Sequence, residues 1–203
     1  MPYLSLEVGD LATNCYLFFA GDSRHCLVID PGDEAERILA LIAAERLLPQ
    51  AVILTHAHPD HMGAAAAVTR HFCVPLWVHE ADGKLMRSPE GRGLAAMFGV
   101  KPPAADRLLA DGDRLAAGSQ ELEVVHSPGH SPGSILLHGA GLLFTGDTLF
   151  RGDVGRTDLP GGSEDELRRS LERIREFPPA TVILPGHGPA SILEQELLDN
   201  PYL

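Results

Sequence analysis

The stretch Thr55-His56-Ala57-His58-Pro59-Asp60-His61 places three histidines and one aspartate within six consecutive positions, directly after an apolar segment at residues 51–55. Alternate residues of an extended chain point to the same side, so the first two histidines are able to hold one ion together. The proline forces the chain to turn, and we therefore expect the aspartate and the third histidine to face a second ion. Imidazole nitrogen and carboxylate oxygen suit zinc, iron or manganese. The stretch predicts a two-metal site.

Three further candidate ligands share a sequence context with this stretch, because each follows an apolar segment and has glycine beside it. Glycine lets the backbone turn sharply and approach a neighbour closely, and the ends of strands are where a rigid sheet places functional groups. The three are His130 in Ser127-Pro128-Gly129-His130-Ser131-Pro132-Gly133, Asp147 in Thr145-Gly146-Asp147-Thr148, and His187 in Pro185-Gly186-His187-Gly188. The repetition of one context indicates a single site assembled from several strand ends.

Apolar periodicity predicts alternating strands and helices along the chain. We expect strands at residues 4–8, 14–20, 25–30, 51–55, 75–79, 122–126, 134–138, 142–145 and 181–184, and helices at 34–47, 63–72, 163–177 and 191–198. Gly21-Asp22-Ser23 is typical of a hairpin turn. Ser163 and Glu166 have the spacing of a helix-capping box. Residues 81–103 contain many glycines and prolines, which indicates a surface excursion with one or two short helices.

This order of elements consists of two similar halves and indicates an α/β protein with two packed sheets and helices outside them. The predicted fold is a four-layer α/β/β/α sandwich. The 203 residues show no linker, repeat or low-complexity segment, so we expect one domain over residues 1–203.

The charge balance restricts the partners. With 16 basic and 28 acidic side chains the formal net charge is 16 − 28 = −12, which disfavours binding to nucleic acid or to an anionic membrane. The sequence has no apolar run near the length of a membrane span and begins without a signal-peptide pattern. Its three cysteines lack metal-site spacing, and we expect buried free thiols in a reducing cytoplasm. We expect a small-molecule substrate, with no nucleic acid and no membrane as partner, and the sequence gives no oligomeric state.

These motifs together resemble the metallo-β-lactamase superfamily, whose most specific mark is the H-x-H-x-D-H run found here at residues 56–61. The resemblance extends over almost the whole chain and implies a role for each matching position. Asp30 would support the site without binding metal. The implied ligands are His56, His58 and His130 for the first metal, Asp60, His61 and His187 for the second, and Asp147 as a bridge between them. Two divalent ions are implied, with zinc as the first expectation and iron or manganese as alternatives.

Within the superfamily the chain is similar to the glyoxalase II branch, which hydrolyses glutathione thioesters such as S-lactoylglutathione. The similarity is greatest to the short bacterial members, through Gly155-Arg156-Thr157-Asp158-Leu159-Pro160, Pro185-Gly186-His187-Gly188-Pro189 and Asn200-Pro201-Tyr202-Leu203. The longer enzymes hold glutathione with basic residues of a C-terminal helical domain. In this sequence only Arg156 matches a residue placed to bind the carboxylate of the substrate.

The resemblance implies a thioester hydrolase that uses a dinuclear metal-activated hydroxide, with Asp60 and Asp147 as catalytic carboxylates. Several alternatives stay open. Persulfide dioxygenases share the fold and bind one iron through the equivalents of His56, His130 and Asp147. A lactonase, a phosphodiesterase and a non-enzymatic metal-bearing binding module are further alternatives on this fold.

Overall fold

The computed structural model describes residues 2–21 and 23–203 and consists of two six-stranded sheets, one two-stranded sheet and seven helices. The strands are β1 Tyr3–Val8, β2 Thr13–Phe19, β3 His25–Ile29, β4 Leu48–Ile53, β5 Leu76–His79, β6 Arg107–Leu109, β7 Arg114–Ala117, β8 Gln120–His126, β9 Ile135–Gly139, β10 Leu142–Gly146, β11 Leu149–Phe150, β12 Asp153–Val154, β13 Val182–Pro185 and β14 Ser191–Ile192. The helices are α1 Ala35–Ala44, α2 Pro59–Met62, α3 Ala65–Phe72, α4 Glu80–Leu85, α5 Pro89–Met97, α6 Glu164–Ile174 and α7 Leu193–Asp199.

Sheet A has the strand order β1-β2-β3-β4-β5-β6 and sheet B the order β14-β13-β10-β9-β8-β7. In sheet A, β3, β4, β5 and β6 run parallel, so the carboxyl ends of β3 and β4 lie at one edge. In sheet B, β13 is parallel to β10, and β8 is antiparallel to β9, which is antiparallel to β10. The carboxyl ends of β8, β10 and β13 therefore also share an edge.

The side chains of the central strands alternate between two hydrophobic layers, as the two-residue period of a strand requires. In β4, Ala51 and Ile53 belong to the apolar cluster between the sheets, whereas Val52 packs with the helix residues Ile38 and Val68. Sheet B alternates in the same way and turns its other face toward α6 and α7. This layering confirms the predicted four-layer α/β/β/α sandwich, while the single domain over residues 1–203 stays a prediction.

Several local predictions need correction. The helix predicted at 63–72 is observed as α3, which begins two residues later than predicted. A separate helical turn, α2, precedes it and was not predicted, and the proline at its first position is preorganised for a helix. The helix predicted at 191–198 begins with the short strand β14, which pairs with β13. Four short strands, β6, β7, β11 and β12, were not predicted. The turn proposed at Gly21-Asp22-Ser23 includes Asp22, which lies outside the described residues.

The predicted capping box at α6 is formed only in part. The Ser163 side chain accepts a hydrogen bond from the Glu166 backbone N–H, as expected for an N-cap. The Ser163 backbone N–H donates to the carbonyl of Gly129 rather than to the Glu166 side chain. The helix terminus is thereby tied to the loop that carries His130.

The cysteines form no disulfide with one another, and burial raises the pKa of the Cys26 thiol to about 12. Cys15 is also buried, but Cys73 is exposed, so the prediction of three buried thiols is wrong for that residue. Cys73 follows α3 in a left-handed conformation. In the described part of the chain, no helix combines the length and hydrophobicity needed to cross a bilayer.

Candidate metal centre

The seven predicted ligands lie where strand ends of the two sheets meet. The loop after β4 carries His56 and His58, and α2 carries Asp60 and His61. The other three follow β8, β10 and β13. The sheets are joined at this edge, since the backbone N–H of Ile135 donates to the carbonyl of Thr55. The structure thus brings together all seven positions that the sequence predicts.

The first group comprises His56, His58 and His130, each offering one ring nitrogen within 4.8 Å of the others. His130 Nε2 lies 2.8 Å from His58 Nδ1 and 3.2 Å from His56 Nε2. His130 Nδ1 donates to the carbonyl of Arg156, 2.8 Å away, so its Nε2 presents a lone pair when the ring is neutral.

The ring of His56 is oriented in the same manner, by a contact of its Nδ1. The Thr55 hydroxyl has one proton and donates it to Asp30 Oδ2, so the hydroxyl oxygen accepts from His56 Nδ1 at 3.1 Å. His56 Nε2 therefore also presents a lone pair, and it faces the lone pair of His130. Two acceptors cannot hydrogen-bond to each other, and a cation between them satisfies both.

Burial keeps this first group neutral. Desolvation lowers the pKa of His56 well below its usual range and lowers the pKa of His58 to about 3, and the neighbouring imidazoles add to both shifts. Desolvation also lowers the pKa of His130, with Asp147 opposing the shift. Neutral imidazole is the form that binds metal ions, so these three rings are ready to bind without losing a proton.

The second group comprises Asp60, His61 and His187, again with ligand atoms within 4.8 Å of one another. His61 Nε2 lies 3.2 Å from His187 Nε2 and 3.6 Å from Asp60 Oδ2. Both rings are held through their other nitrogen, since His61 Nδ1 contacts Asp30 Oδ2 at 3.0 Å and His187 Nδ1 donates to the carbonyl of Leu11 at 2.9 Å.

The carboxylates in and around the second group favour a positive charge there. Burial alone would lower the pKa of His61, but Asp147 and Asp30 outweigh it and raise that pKa well above its usual range. Burial alone would raise the pKa of Asp60, but the hydrogen bond from His187 and the charge of His61 lower it. The group holds a proton or a metal ion, and a divalent cation that binds here displaces the proton.

Asp147 lies between the two groups. Its Oδ1 is 3.3 Å from His61 Nε2, and its Oδ2 is 3.6 Å from His130 Nε2 and 3.5 Å from His187 Nε2. Burial raises its pKa, but His61 and then His130 outweigh burial and lower it, so the carboxylate is ionised. Its buried Oδ1 is within ion-pair distance of His61, but no donor among the described residues is aligned for a hydrogen bond to it. The donor set therefore fits two divalent cations with a shared carboxylate, although imidazole and carboxylate do not select one metal.

Asp30 also lies near His56 and His61, but its oxygens are already used. Oδ1 accepts from the Thr55 backbone N–H at 2.7 Å, and Oδ2 accepts from the Thr55 hydroxyl and from His61. It therefore orients ligands from outside the metal positions, in agreement with the expected support role.

Two glycines make room for this arrangement. A Cβ at Gly186 would overlap Asp147 Oδ1 and come within 2.7 Å of His61 Cε1. A Cβ at Gly146 would overlap the Thr55 hydroxyl, and Gly146 also has a left-handed φ of 47°. The glycines beside the predicted ligands are thus required by close approach of the backbone to the site.

Asp82 is a buried residue near the site that the sequence did not indicate. Its carboxylate accepts hydrogen bonds from the backbone N–H groups of Ala57 and Gly133, both at 2.6 Å, and from the Ser131 hydroxyl at 2.8 Å. It therefore connects the loop of His56 and His58 to the loop of His130. A single aspartate inside an irregular segment has no spacing pattern, so only the folded chain reveals this contact.

Arg156 lines a cavity of about 450 Å³ over the candidate ligands. Its guanidinium makes two hydrogen bonds of 2.7 Å to the carboxylate of Asp158, and both side chains are largely exposed. The predicted substrate-binding arginine is therefore near the site, but in this structure it is paired with an acidic neighbour.

Comparison with known proteins agrees with the fold and the site. The family model described as metallo-beta-lactamase superfamily matches residues 8–187. The chain is 37% identical to the hydroxyacylglutathione hydrolase GloC of Haemophilus influenzae, over 94% of this chain and 92% of that protein. It is 35% identical to the crystal structure of BLEG-1 B3 metallo-beta-lactamase, which covers 99% of both chains with a TM-score of 0.91. The crystal structure of TTHA1623 in a di-iron-bound form is 42% identical, with a TM-score of 0.88 over 98% of this chain and 100% of that one. With its paired His and Asp groups at the strand ends, the chain belongs to the metallo-beta-lactamase superfamily and is a metallohydrolase of that superfamily.

Proposed function

We propose that this metallohydrolase cleaves glutathione thioesters of the S-lactoylglutathione type with two divalent metal ions. The observation that carries the dinuclear part is the position of Asp147, whose carboxylate contacts both ligand groups, His130 of the first and His61 and His187 of the second. Support for the thioester comes from the similarity to a hydroxyacylglutathione hydrolase over most of both chains. Zinc is the first candidate metal, and the di-iron form of TTHA1623 supports iron as an alternative.

In this proposal each candidate ligand has a stated task. His56, His58 and His130 would hold the first ion, Asp60, His61 and His187 would hold the second, and Asp147 would be shared between them. Two divalent ions held by these residues would supply a water with a pKa near neutrality and polarise the carbonyl of the substrate. Asp60 stays ionised because its pKa is lowered, so its carboxylate is able to accept a hydrogen bond from the attacking water and orient it.

Two further parts of the proposal concern the charge of the substrate and the compartment in which the protein acts. Arg156 is the candidate contact for a substrate carboxylate, and it would have to exchange its partner Asp158 for the substrate. The free thiols fit the proposed cytoplasmic location, where glutathione keeps cysteines reduced.

The test is hydrolysis of S-D-lactoylglutathione by purified protein of measured metal content, followed by the loss of thioester absorbance. We expect turnover that disappears with a chelator and returns when zinc or iron is restored. Asp147→Asn should abolish turnover, whereas Asp165→Asn, a change of a highly exposed aspartate at the start of α6, should not affect it. Absence of turnover by protein that holds two metal ions would contradict the proposal.

β-Lactam hydrolysis is a second candidate, because BLEG-1 is described as a B3 metallo-beta-lactamase and superposes over nearly the whole chain. Hydrolysis of a chromogenic cephalosporin by the same metal-loaded sample tests it. Oxygen consumption with glutathione persulfide tests the dioxygenase alternative. Turnover of one of these substrates together with inactivity toward the thioester would replace the proposed function.

A further inference from the structure

The cavity over the candidate metal centre has an apolar rim, formed by Leu11, Leu94, Met97, Phe98 and Leu159. Leu11 follows β1, and Leu159 follows Arg156 in the loop beyond β12. Leu94 and Met97 belong to the end of α5, and Phe98 directly follows that helix. Met97 is 83% exposed, Leu11 52% and Phe98 50%. Side chains of this size are usually removed from water, so their convergence on one opening calls for a partner that covers them.

The packing of α5 explains why these side chains stay exposed. Among the residues of this helix only Ala95 is fully buried in the core. A Cβ at Gly91 would overlap the carbonyl of Leu85, so the start of the helix lies tightly on the end of α4. The following turn then extends over the cavity, and it presents its large apolar side chains there instead of inserting them between helix and sheet.

The cavity offers little free positive charge to an anionic ligand. Among the described residues that line it, Arg156 is the only arginine or lysine, and both oxygens of Asp158 already bind its guanidinium. Lys101 lies in a neighbouring cavity of about 560 Å³ that Asp10 and Asp33 also line. A small, strongly polar substrate would leave the rim exposed to water.

The rim also has two distinct sides. The carbonyl of Leu11 accepts from His187 of the second ligand group, and the carbonyl of Arg156 accepts from His130 of the first. Leu11 and Phe98 line both cavities and therefore stand between them on the side of His187. A ligand that spans the centre meets an apolar surface on one side and the Arg156–Asp158 pair on the other.

We infer that the substrate carries a hydrocarbon chain or ring next to the bond that is cleaved, and that the apolar rim binds this group. The inference rests on the proposed hydrolase function and extends its substrate class from S-lactoylglutathione, whose acyl group is small and polar, to thioesters with a larger apolar group. The apolar group belongs either to the acyl part of a thioester or to its thiol part, and the two sources share the same chemistry. Each methylene that the rim removes from water would raise affinity by about fourfold when burial is complete, and by less at a partly open rim.

Binding of non-hydrolysable thioethers tests the inference independently of turnover. We would titrate metal-loaded protein with S-methylglutathione and S-hexylglutathione by calorimetry, and we expect at least tenfold tighter binding of the hexyl compound. The double variant Met97→Ser/Phe98→Ser should reduce this preference to about twofold or less. Leu198→Ser is the matched control, because Leu198 is 80% exposed on α7 and does not line the cavity, and it should retain the full preference. Equal affinity of the wild type for the two thioethers would overturn the inference.

Turnover of matched thioesters identifies the source of the apolar group. If S-hexanoylglutathione is cleaved faster than S-acetylglutathione, the apolar group belongs to the acyl part. If the acetyl thioester of benzyl mercaptan is cleaved faster than S-acetylglutathione, the apolar group belongs to the thiol part. Tighter binding of the hexyl compound without any thioester turnover would support the proposed role of the rim but contradict the proposed function. Efficient turnover of S-lactoylglutathione without any preference for the hexyl compound would contradict the proposed role of the rim and leave the proposed function intact.

Self-association is the competing explanation for an exposed apolar rim. Sedimentation measurements on wild type and on Met97→Ser/Phe98→Ser separate the two. A mass that does not change between them supports the substrate role. A wild-type dimer that becomes monomeric in the double variant would overturn the inference, because a second copy would then cover the rim.

Discussion

The Asp82 carboxylate accepts a 2.8 Å hydrogen bond from the hydroxyl of Ser131, the residue that directly follows the candidate ligand His130. The same carboxylate accepts from the backbone N–H of Ala57, which lies between the other two ligands of the first group. Asp82 is completely buried, and burial raises its pKa while Ser131 and the two backbone donors oppose the shift. Burying the Asp82 carboxylate is unfavourable, and the hydrogen bonds that it accepts offset this cost. The same hydrogen bonds hold the loop of His56 and His58 at a fixed distance from the loop of His130.

We expect Asp82→Asn to weaken metal binding by the first group. The amide has one acceptor oxygen, so at least one of the three donors loses its partner, and the two loops are free to separate. Loss of such a supporting contact commonly costs about 10- to 100-fold in metal affinity. Titration with zinc under chelator competition measures the effect. Asp106→Asn is the matched control, since Asp106 accepts from the Leu76 backbone N–H at the opposite end of β5, and it should leave metal affinity unchanged.

Asp30→Asn should weaken the second group. Asp30 has a φ of 49°, a conformation that asparagine tolerates, so the substitution removes charge while preserving the backbone. Without the carboxylate, His61 loses a group that raises its pKa and fixes its Nε2 toward the metal position. We expect the affinity of one of two bound ions to fall by about 10- to 100-fold. A metal titration that still shows two equally tight ions would contradict this role.

The sequence was informative about the site because candidate ligands and strand signals are adjacent along the chain. His56 and His58 follow an apolar strand within a few residues, and a period of two is enough to place them on one side. The fold could be predicted for a related reason, since central strands such as β4 are continuous apolar segments. Their alternation between two hydrophobic layers then follows from strand geometry.

The elements that could not be predicted depend on contacts between distant residues. Strands β6 and β7 are short and contain arginine, and they exist because β5 and β8 offer them a free edge. Asp82 contacts residues 25, 49 and 51 positions away, a relationship that no local pattern encodes. The pairing of Arg156 with Asp158 is local, but its geometry decides whether the arginine is free for a substrate.

Gly186→Ala should abolish most activity. The added Cβ would overlap Asp147 Oδ1 and press on the His61 ring, and the backbone there is fixed by hydrogen bonds to Asn14 and Gly146. We expect at least a 100-fold loss of kcat with a smaller change in KM, because the carboxylate between the two ligand groups is displaced. Gly93→Ala is the control, since a Cβ there meets nothing within 4 Å in α5. It should retain activity and gain about 0.5–1 kcal/mol of stability.

Glu196 should make stability depend on pH. Its buried carboxylate accepts from the Gly152 backbone N–H, the Asn200 amide and the Ser191 hydroxyl. Burial alone would raise its pKa, but these hydrogen bonds lower it. The carboxylate therefore stabilises the fold above the unfolded pKa of about 4.3, and this contribution is lost as the pH falls through the lower folded pKa.

Glu196→Gln should consequently cost about 1–3 kcal/mol in the free energy of unfolding at pH 7. The difference from wild type should shrink as the pH falls below the unfolded pKa and through the lower folded pKa, where the wild-type carboxylate becomes protonated. Urea unfolding of wild type and variant, at pH 7 and at a pH below the unfolded pKa, measures this difference. The exposed neighbour Glu194 provides the control Glu194→Gln, for which we expect little change at either pH.

Release of Arg156 from Asp158 should change substrate affinity rather than the chemical step. The bidentate contact with the guanidinium lowers the pKa of Asp158 to about 2, so the carboxylate competes with an anionic substrate throughout the neutral range. We expect Asp158→Asn to lower KM for S-D-lactoylglutathione several-fold and to leave kcat nearly unchanged. Arg156→Ala should raise the same KM and preserve the His130 contact, because that contact uses the backbone carbonyl. An uncharged thioester should show neither effect, and a kcat that falls in Asp158→Asn would instead indicate that the pair supports the loop beside His130.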